Sequence, residues 1–245
     1  MIAMTRRDLT IIPGTDNDCL VIACDSCGAI GMKDGDVFKL PPRHTAKFTA
    51  RVALTEVMCS GALPVAIANG VACEMNPTGR ETIAGILDEL NNAGISDIIL
   101  TGSTEENFVT NMTALAVTVI GTAREGELKF GKAEMGDKLI LFGKPCVGDE
   151  VDLDGKGFYP VIRRLLPMRS VKEIIPVGSR GITHEVESLA LMSGMEVKLH
   201  EIGIDYYKSA GPVTCLLALC EDLAIETIFG WNKGTNDFAI IGEII

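Results

Sequence analysis

The chain has 245 residues, 47% of them hydrophobic, with 33 acidic against 22 basic side chains and a formal charge of −11. That surplus of carboxylates excludes a nucleic-acid backbone as the main partner, because such binding needs clustered Lys and Arg. The length suffices for one large domain or two small ones with proper cores, and the charge leaves room for a nucleotide, since Mg²⁺ bridges carboxylates to phosphates.

The opening residues Met1-Ile2-Ala3-Met4-Thr5-Arg6-Arg7 hold no apolar signal core. The longest apolar runs, about eight residues, are far short of a membrane span. A cytoplasmic protein with neither membrane nor nucleic-acid partner is the expectation. Most of the eight cysteines lie in apolar runs such as Val21-Ile22-Ala23-Cys24 and read as small, reduced, buried residues. Cys24 and Cys27 form C-x-x-C, but no second pair and no His pair at zinc spacing accompanies them.

Residues 13–18 read as a turn, residues 20–23 as a strand ending at Asp25, and the stretch holding Gly28, Gly31, Asp34, Gly35 and Asp36 as a polar loop. From 42 to 60 the period changes. Ala46, Ala50, Ala53, Leu54, Val57 and Met58 recur at helical spacing, Arg43, Lys47, Arg51 and Thr55 take another face, and Gly61 stops the helix. A strand at 63–73, a helix at 80–92 opened by Pro77-Thr78-Gly79, and strands at 97–101 and 112–121 follow. The charged segment from Arg124 to Gly136 divides the chain into domains 1–135 and 136–245. The second half reads as strand 138–142, loop 149–157, helix 159–166, strand 171–177, helix 183–193 and strand 196–200. A helix at 213–222, opened by Ser209-Ala210-Gly211-Pro212, and closing strands at 225–229 and 238–244 complete it. The mixture predicts an α+β or mixed α/β fold.

Several stretches could do chemistry. Gly102-Ser103-Thr104-Glu105-Glu106-Asn107-Phe108 joins two apolar runs and is either a polar hairpin turn or a site for a metal ion and a phosphate. Asp16, Asp18 and Asp25 could converge if the turn folds back over the strand, and converged carboxylates call for a hard cation such as Mg²⁺; the alternative is a turn residue and a solvent-facing one. Glu56 near the end of the long helix opposes the helix dipole, which a bound cation would offset, or else is a solvated charge. There is no P-loop and no dinucleotide fingerprint. Gly143-Lys144-Pro145-Cys146-Val147-Gly148 could present backbone N–H groups to phosphate, or only turn. Gly178-Ser179-Arg180-Gly181, at a helix start, could hold an anion, or only link strand to helix.

In order and spacing these pieces resemble the aminoimidazole ribonucleotide synthetase (PurM-like) superfamily, which also holds thiamine-monophosphate kinase, selenophosphate synthetase and the hydrogenase-maturation dehydratase. Thr15-Asp16-Asn17-Asp18-Cys19 looks like its early acidic turn and Ala23-Cys24-Asp25-Ser26 like its strand ending in Asp-Ser. Ala53-Leu54-Thr55-Glu56-Val57-Met58, running on to Pro64, looks like its N-D-L-x-x-M-G-A-x-P helix, and Leu100 to Thr104 occupies the place of its G-G-D-T loop. Gly136-Asp137 matches the usual start of the second domain, and Ser209-Ala210-Gly211 resembles its S-G-G. Glu56 stands for the usual Asp, Ser103 for the loop Asp, and Arg180 where kinases of the superfamily carry an acid; the second domain is trimmed.

The resemblance implies a two-domain PurM-like α+β fold, with a mixed or antiparallel sheet in an N-terminal, dimerising, ATP/Mg-binding domain and a smaller α/β C-terminal domain lining the acceptor site. It implies Mg²⁺ at Asp16, Asp18, Asp25, Glu56 and Glu105, and ATP at Gly102, Ser103, Thr104, Asn107, Lys144, Ser179 and Arg180. Asp25 and Lys33 are then the catalytic pair, and the protein a homodimer. The runs from Asp25 to Lys33, Glu74 to Gly79 and Ser103 to Asn107 look like a subgroup similar to α-ribazole kinase, which implies phosphorylation of a nucleoside. A nucleotide-binding protein without turnover, and a synthetase forming an acyl- or imidoyl-phosphate, are the alternatives.

Overall fold

The computed structural model describes residues 3–231 and 238–245. The chain divides into two compact units. One comprises the chain to Met58, Ala62–Glu127 and Leu153–Gly157; the other comprises Cys59–Gly61, Leu128–Asp152 and the chain from Phe158 onward.

In the first unit, β1 (Met4–Arg6), β2 (Leu9–Pro13) and β3 (Asp18–Gly28) are followed by the short parallel pair β4 (Ile30–Gly31) and β5 (Phe38–Lys39). Then come α1 (Pro42–Cys59), β6 (Leu63–Val71), α2 (Arg80–Asn92), β7 (Ile99–Thr104) and β8 (Ala114–Arg124). Six strands form one mixed sheet in the order β1-β2-β3-β8-β6-β7, in which β6 and β7 run parallel and the other pairs antiparallel. Strand alternation decides which face is covered. On β3, Cys19, Val21 and Ala23 are buried while Asp18, Leu20 and Cys24 are exposed. The helical stripe read from the sequence, Ala46, Ala50, Ala53, Leu54 and Val57, is buried on α1. Gly121 on β8 shows how closely α1 approaches, since a Cβ there would lie 2.5 Å from Val57 Cγ1. Between α1 and α2 the buried pair Arg51–Glu89 is bidentate, at 2.6 and 3.0 Å.

Two departures from the sequence reading arise here. Residues 25–28 are not loop; β3 continues through them because they pair with residues 114–117 of β8. Strands β1 and β2 were not anticipated, being short and interrupted by Arg6-Arg7-Asp8.

The second unit contains β9 (Lys138–Gly143), α3 (Tyr159–Leu165), β10 (Val171–Pro176), α4 (Gly181–Ser193), β11 (Val197–Leu199), β12 (Cys215–Cys220), α5 (Asp222–Gly230) and β13 (Phe238–Ile244). Its sheet is antiparallel in the order β10-β12-β9-β13-β11. The helix expected at 213–222 is instead strand β12, and the strand expected at 225–229 lies in helix α5. All six residues of β12, Cys-Leu-Leu-Ala-Leu-Cys, are buried. A strand covered on both faces shows no alternation, so its apolar run cannot be told from a buried helix by period. Among the described residues no helix is long and apolar enough to cross a membrane.

Candidate functional site

Register places the chemistry of the first unit. Asp25 on β3 pairs with Val117 on β8, Val117 with Asn69 on β6, and Asn69 with Gly102 on β7. The next row is Ser26, Ala116, Gly70 and Ser103; the one after is Cys27, Leu115, Val71 and Thr104. The C-terminal ends of β3, β6 and β7 therefore meet at one edge of the sheet. With strands about 4.8 Å apart, Asp25 stands about 10 Å from Asn69 along its row and about 14 Å from Gly102. Asp25 continues the parity of Cys19, Val21 and Ala23, so it lies on the helix-covered face.

Burial pushes the Asp25 carboxyl up to about 6, the Ser26 amide works against the shift, and the charge of Asp8 adds to it. Sequence reasoning did not find Asp8. Thr10 pairs with Ile22; carrying that register two residues further sets Asp8 opposite Cys24, one residue along the strand from Asp25. Only the β2–β3 pairing reveals this, because Asp8 itself sits in a featureless turn.

Asp16 and Asp18 are elsewhere. Asp16 and Asn17 have left-handed φ of 55° and 64° in the β2–β3 turn, closed by Gly14 N–H donating to Asp18 O at 2.7 Å. Asp18 begins β3, about 23 Å along the strand from Asp25, and its parity puts it on the open face. The three carboxylates do not converge within one chain, because the turn folds away from the strand end that carries Asp25. Glu56, 8% exposed, occupies the last turn of α1 beside Val57, which covers Gly121. Gly121 pairs with Val21, about 13 Å along β3 from Asp25. Glu105 is turned into its own loop, accepting from the N–H groups of Asn107 at 2.6 Å and Phe108 at 3.2 Å. Glu106 accepts from Met75 N–H at 2.7 Å and from Thr104 Oγ1 at 2.8 Å. Among the described residues no three His, Cys, Asp or Glu side chains are grouped to hold a metal ion. The fivefold carboxylate set expected from the sequence is thus not assembled among the described residues of the single chain, although the charge of Asp8 is felt at Asp25.

Lys33 does reach the strand-end loops. Its Nζ pairs with Glu74 at 2.6 Å, and Glu74 also accepts from Thr78 Oγ1 at 2.5 Å. Burial alone would raise the Glu74 carboxyl, but the hydrogen bonds from Lys33 and Thr78 outweigh it and hold the group down at about 2. Asp36, which accepts from the Thr113 N–H and hydroxyl and from the Lys33 N–H, pins the loop before α1. Ser103 is exposed on the open face and Asn107 is exposed in the loop. Asn69, buried beside Gly102, was not singled out from the sequence. The signal was an amide inside the apolar strand Ile67-Ala68-Asn69-Gly70-Val71.

Lys144, Ser179 and Arg180 belong to the second unit, and all three are exposed. Gly143 pairs with Cys215, whose carbonyl accepts from Val177 N–H at 3.2 Å. Lys144 and the 178–181 turn therefore flank one end of the five-stranded sheet. Gly181 needs its missing side chain: φ is +77°, and a Cβ would lie 2.8 Å from Tyr206 O. Lys208, at the same end, pairs with Glu150 at 2.7 Å.

The family model described as AIR synthase related protein, N-terminal domain, matches residues 7–123. No curated protein sequence matches the chain. Among solved structures, the chain is similar to Thermotoga maritima PurL complexed with ATP, with TM-score 0.74 and 14% identity over 100% of this chain and 43% of that one. It is similar to thiamine-monophosphate kinase from Stenotrophomonas maltophilia, with TM-score 0.68 and 14% identity over 99% of this chain and 88% of the other. It is also similar to E. coli HypE, with TM-score 0.68 and 18% identity over 92% and 79%. The chain spans less than half the length of the PurL chains it resembles. The fold is therefore the PurM-like α+β fold, and its first part, residues 7–123, matches the AIR synthase-related N-terminal domain.

Proposed function

We propose that this protein is a Mg·ATP-dependent phosphotransferase that phosphorylates a hydroxyl of a small, nucleoside-like acceptor, with α-ribazole as the acceptor of first choice. The observation that carries the reading is the largely buried Asp25 carboxyl at the sheet end where β3, β6 and β7 terminate. A carboxylate whose ionisation is opposed by burial and by the charge of a second acid is what a divalent cation relieves. The residues fit Mg²⁺ in that respect, and would hold it with water completing the shell. Bound Mg²⁺ supplies neutralisation of the phosphate oxygens. Gly102 leaves the row beside Asn69 without a Cβ, and Ser103, Thr104 and Asn107 lie on the same strand end and loop as candidates for ATP. Lys33, tied to Glu74, acts on this reading by positioning the 73–79 loop rather than as a free cation. Lys144, Ser179 and Arg180 are the second unit's candidates for nucleotide contacts.

The protein is, on this reading, a homodimer in the cytoplasm without nucleic-acid or membrane partners. The open face of the first sheet supports the dimer. Leu20, Leu63, Ile12 and Ile99 are 40, 67, 38 and 72% exposed on that one face, and Leu20 and Leu63 each pair with Thr122. A face of that kind favours burial against a second copy.

Nucleotide binding without turnover is the second reading. It is favoured by Glu105 and Glu106 being occupied with amides of the strand-end loops instead of standing free for a metal. The test is a panel of nucleosides including α-ribazole, incubated with Mg·ATP and scored by mass spectrometry. ADP with a product one phosphate heavier is expected, while nucleotide binding with neither product supports the second reading.

A further inference from the structure

We propose that residues 153–157 form a strap closed over Lys47 of α1, and that a phosphate-type oxyanion holds the strap open by taking the Lys47 ammonium from it. The proposal is independent of the phosphotransferase reading. It starts from the stripe Arg43, Lys47, Arg51 and Thr55, whose members recur at every fourth position of α1. Two of its three cations have carboxylates on α2. Arg43 holds Asp88 through hydrogen bonds of 2.5 and 2.8 Å, and Arg51 holds Glu89 in the same bidentate way. The middle cation has no such partner among the described residues. Lys47 is 9% exposed, and its Nζ makes one hydrogen bond, donated to the Leu153 carbonyl at 2.8 Å. Its other neighbour is the Phe48 ring, with the centroid 5.7 Å away. Asp88 feels the charge of Lys47 but is engaged by Arg43. At this level α2 presents Gly85, where a Cβ would overlap the Arg43 carbonyl oxygen and lie 3.0 Å from the Lys47 backbone nitrogen. The helix contact therefore leaves no room there for an acidic side chain.

The strap sits where Lys47 needs a partner. The chain belongs to the second unit as far as Asp152 and again from Phe158, whereas Leu153–Gly157 are part of the first. Two side chains of α1 hold them there, Lys47 on the Leu153 carbonyl and Arg51 on the Gly155 carbonyl at 2.6 Å. A buried charge that faces only a neutral acceptor lacks the compensation a buried ion ordinarily has. An oxyanion is the better partner, because it adds the attraction of opposite charges to the hydrogen bond. The oxygens of a phosphate group only accept, which suits an ammonium that only donates. The Leu153 carbonyl occupies Lys47 in the closed state, so the anion binds the open state alone and shifts the population toward it. Asp152 and Asp154 bracket Leu153 in the sequence, and an anion arriving at Lys47 repels the segment that it displaces.

Trypsin reads the strap, because Lys156 is exposed within it and cleavage tracks the open population when closing is fast. The experiment is limited proteolysis of the full chain, with the cut after Lys156 counted by mass spectrometry against cuts elsewhere. One arm titrates inorganic phosphate, a second titrates Mg·ATP, and sodium chloride at matched ionic strength is the control. Cleavage after Lys156 is expected to rise about tenfold when the anion reaches about nine times its Kd for the open state, and to level off once the strap is fully open. The arm that responds identifies the source of the phosphate group. Lys47→Met, which keeps the buried stem, is expected to abolish the response, and Lys47→Arg to retain it, with thermal melts confirming that both are folded. Should Lys47→Met fail to fold, Lys47→Gln takes its place. Constant cleavage in both arms, an equal rise with sodium chloride, or an undiminished response in the folded neutral variant overturns the proposal.

Discussion

Replacing Asp25 by Asn tests the electrostatics of the strand-end site in a way that needs no substrate. The Asp25 carboxyl is raised from 3.8 to about 6, first by burial and then by Asp8. A pKa raised in the folded state means that the native protein holds the proton more tightly than the unfolded chain does. Stability therefore falls as pH rises from about 4 to about 6, and above that the full cost of the buried charge is present. A gap of about 2 pH units, at about 1.4 kcal/mol each, amounts to about 3 kcal/mol as an upper figure. Asp25→Asn removes the charge. It is expected to be more stable than the wild type at pH 8 by up to that amount, or about 6–10 °C in Tm for a chain of this size, and equal to it near pH 4. Mg²⁺ at pH 8 is expected to raise the wild-type Tm and leave the variant's unchanged. Thermal melts at pH 4, 6 and 8, with and without Mg²⁺, read all of this. Equal stability of the two proteins at pH 8, or an equal response of both to Mg²⁺, refutes the reasoning.

Three further expectations concern other parts of the molecule. Glu89→Gln leaves Arg51 buried opposite a neutral amide and should cost about 3–5 kcal/mol in denaturant titration; a loss under about 1 kcal/mol would show that the pair is not buried as described. Glu74 should still be ionised at pH 3.5 in an NMR titration, and the stability it lends the 74–78 loop should persist above its ordinary 4.5 and fade as pH drops toward about 2. A midpoint at 4.5 contradicts the Lys33–Thr78 cradle. Leu20→Arg, on the open sheet face, should leave a monomer by light scattering where the wild type is the proposed dimer; a dimer that survives it is built on another surface.

Where local pattern and tertiary outcome agree, the sequence was sufficient. The 42–60 stripe became α1, ending at Cys59, and the 80–92 segment became α2. In both the apolar and polar positions fall on separate faces, so the period is visible in the sequence even though Lys47, Arg51 and Thr55 of α1 are themselves buried. It failed at β12, whose two covered faces erase the period, and at α5, whose nine residues are too few to display one. The site was legible at Asp25 and along Gly102-Ser103-Thr104, because polar residues interrupt apolar runs there. It was not legible at Asp8 and Asn69. Each gains its place only from register, Asp8 through β2 against β3 and Asn69 through β6 against β7. The grouping of Asp16 and Asp18 with Asp25 came from closeness in sequence. Along an extended strand, that closeness becomes separation.

The most direct test of the account is phosphoryl transfer itself. Purified protein with Mg·ATP and α-ribazole is expected to yield ADP and a product heavier by one phosphate, with Asp25→Asn folded and inactive in the same assay. Turnover by Asp25→Asn at the wild-type rate, or a wild-type chain that releases no ADP with any nucleoside of the panel, would contradict it.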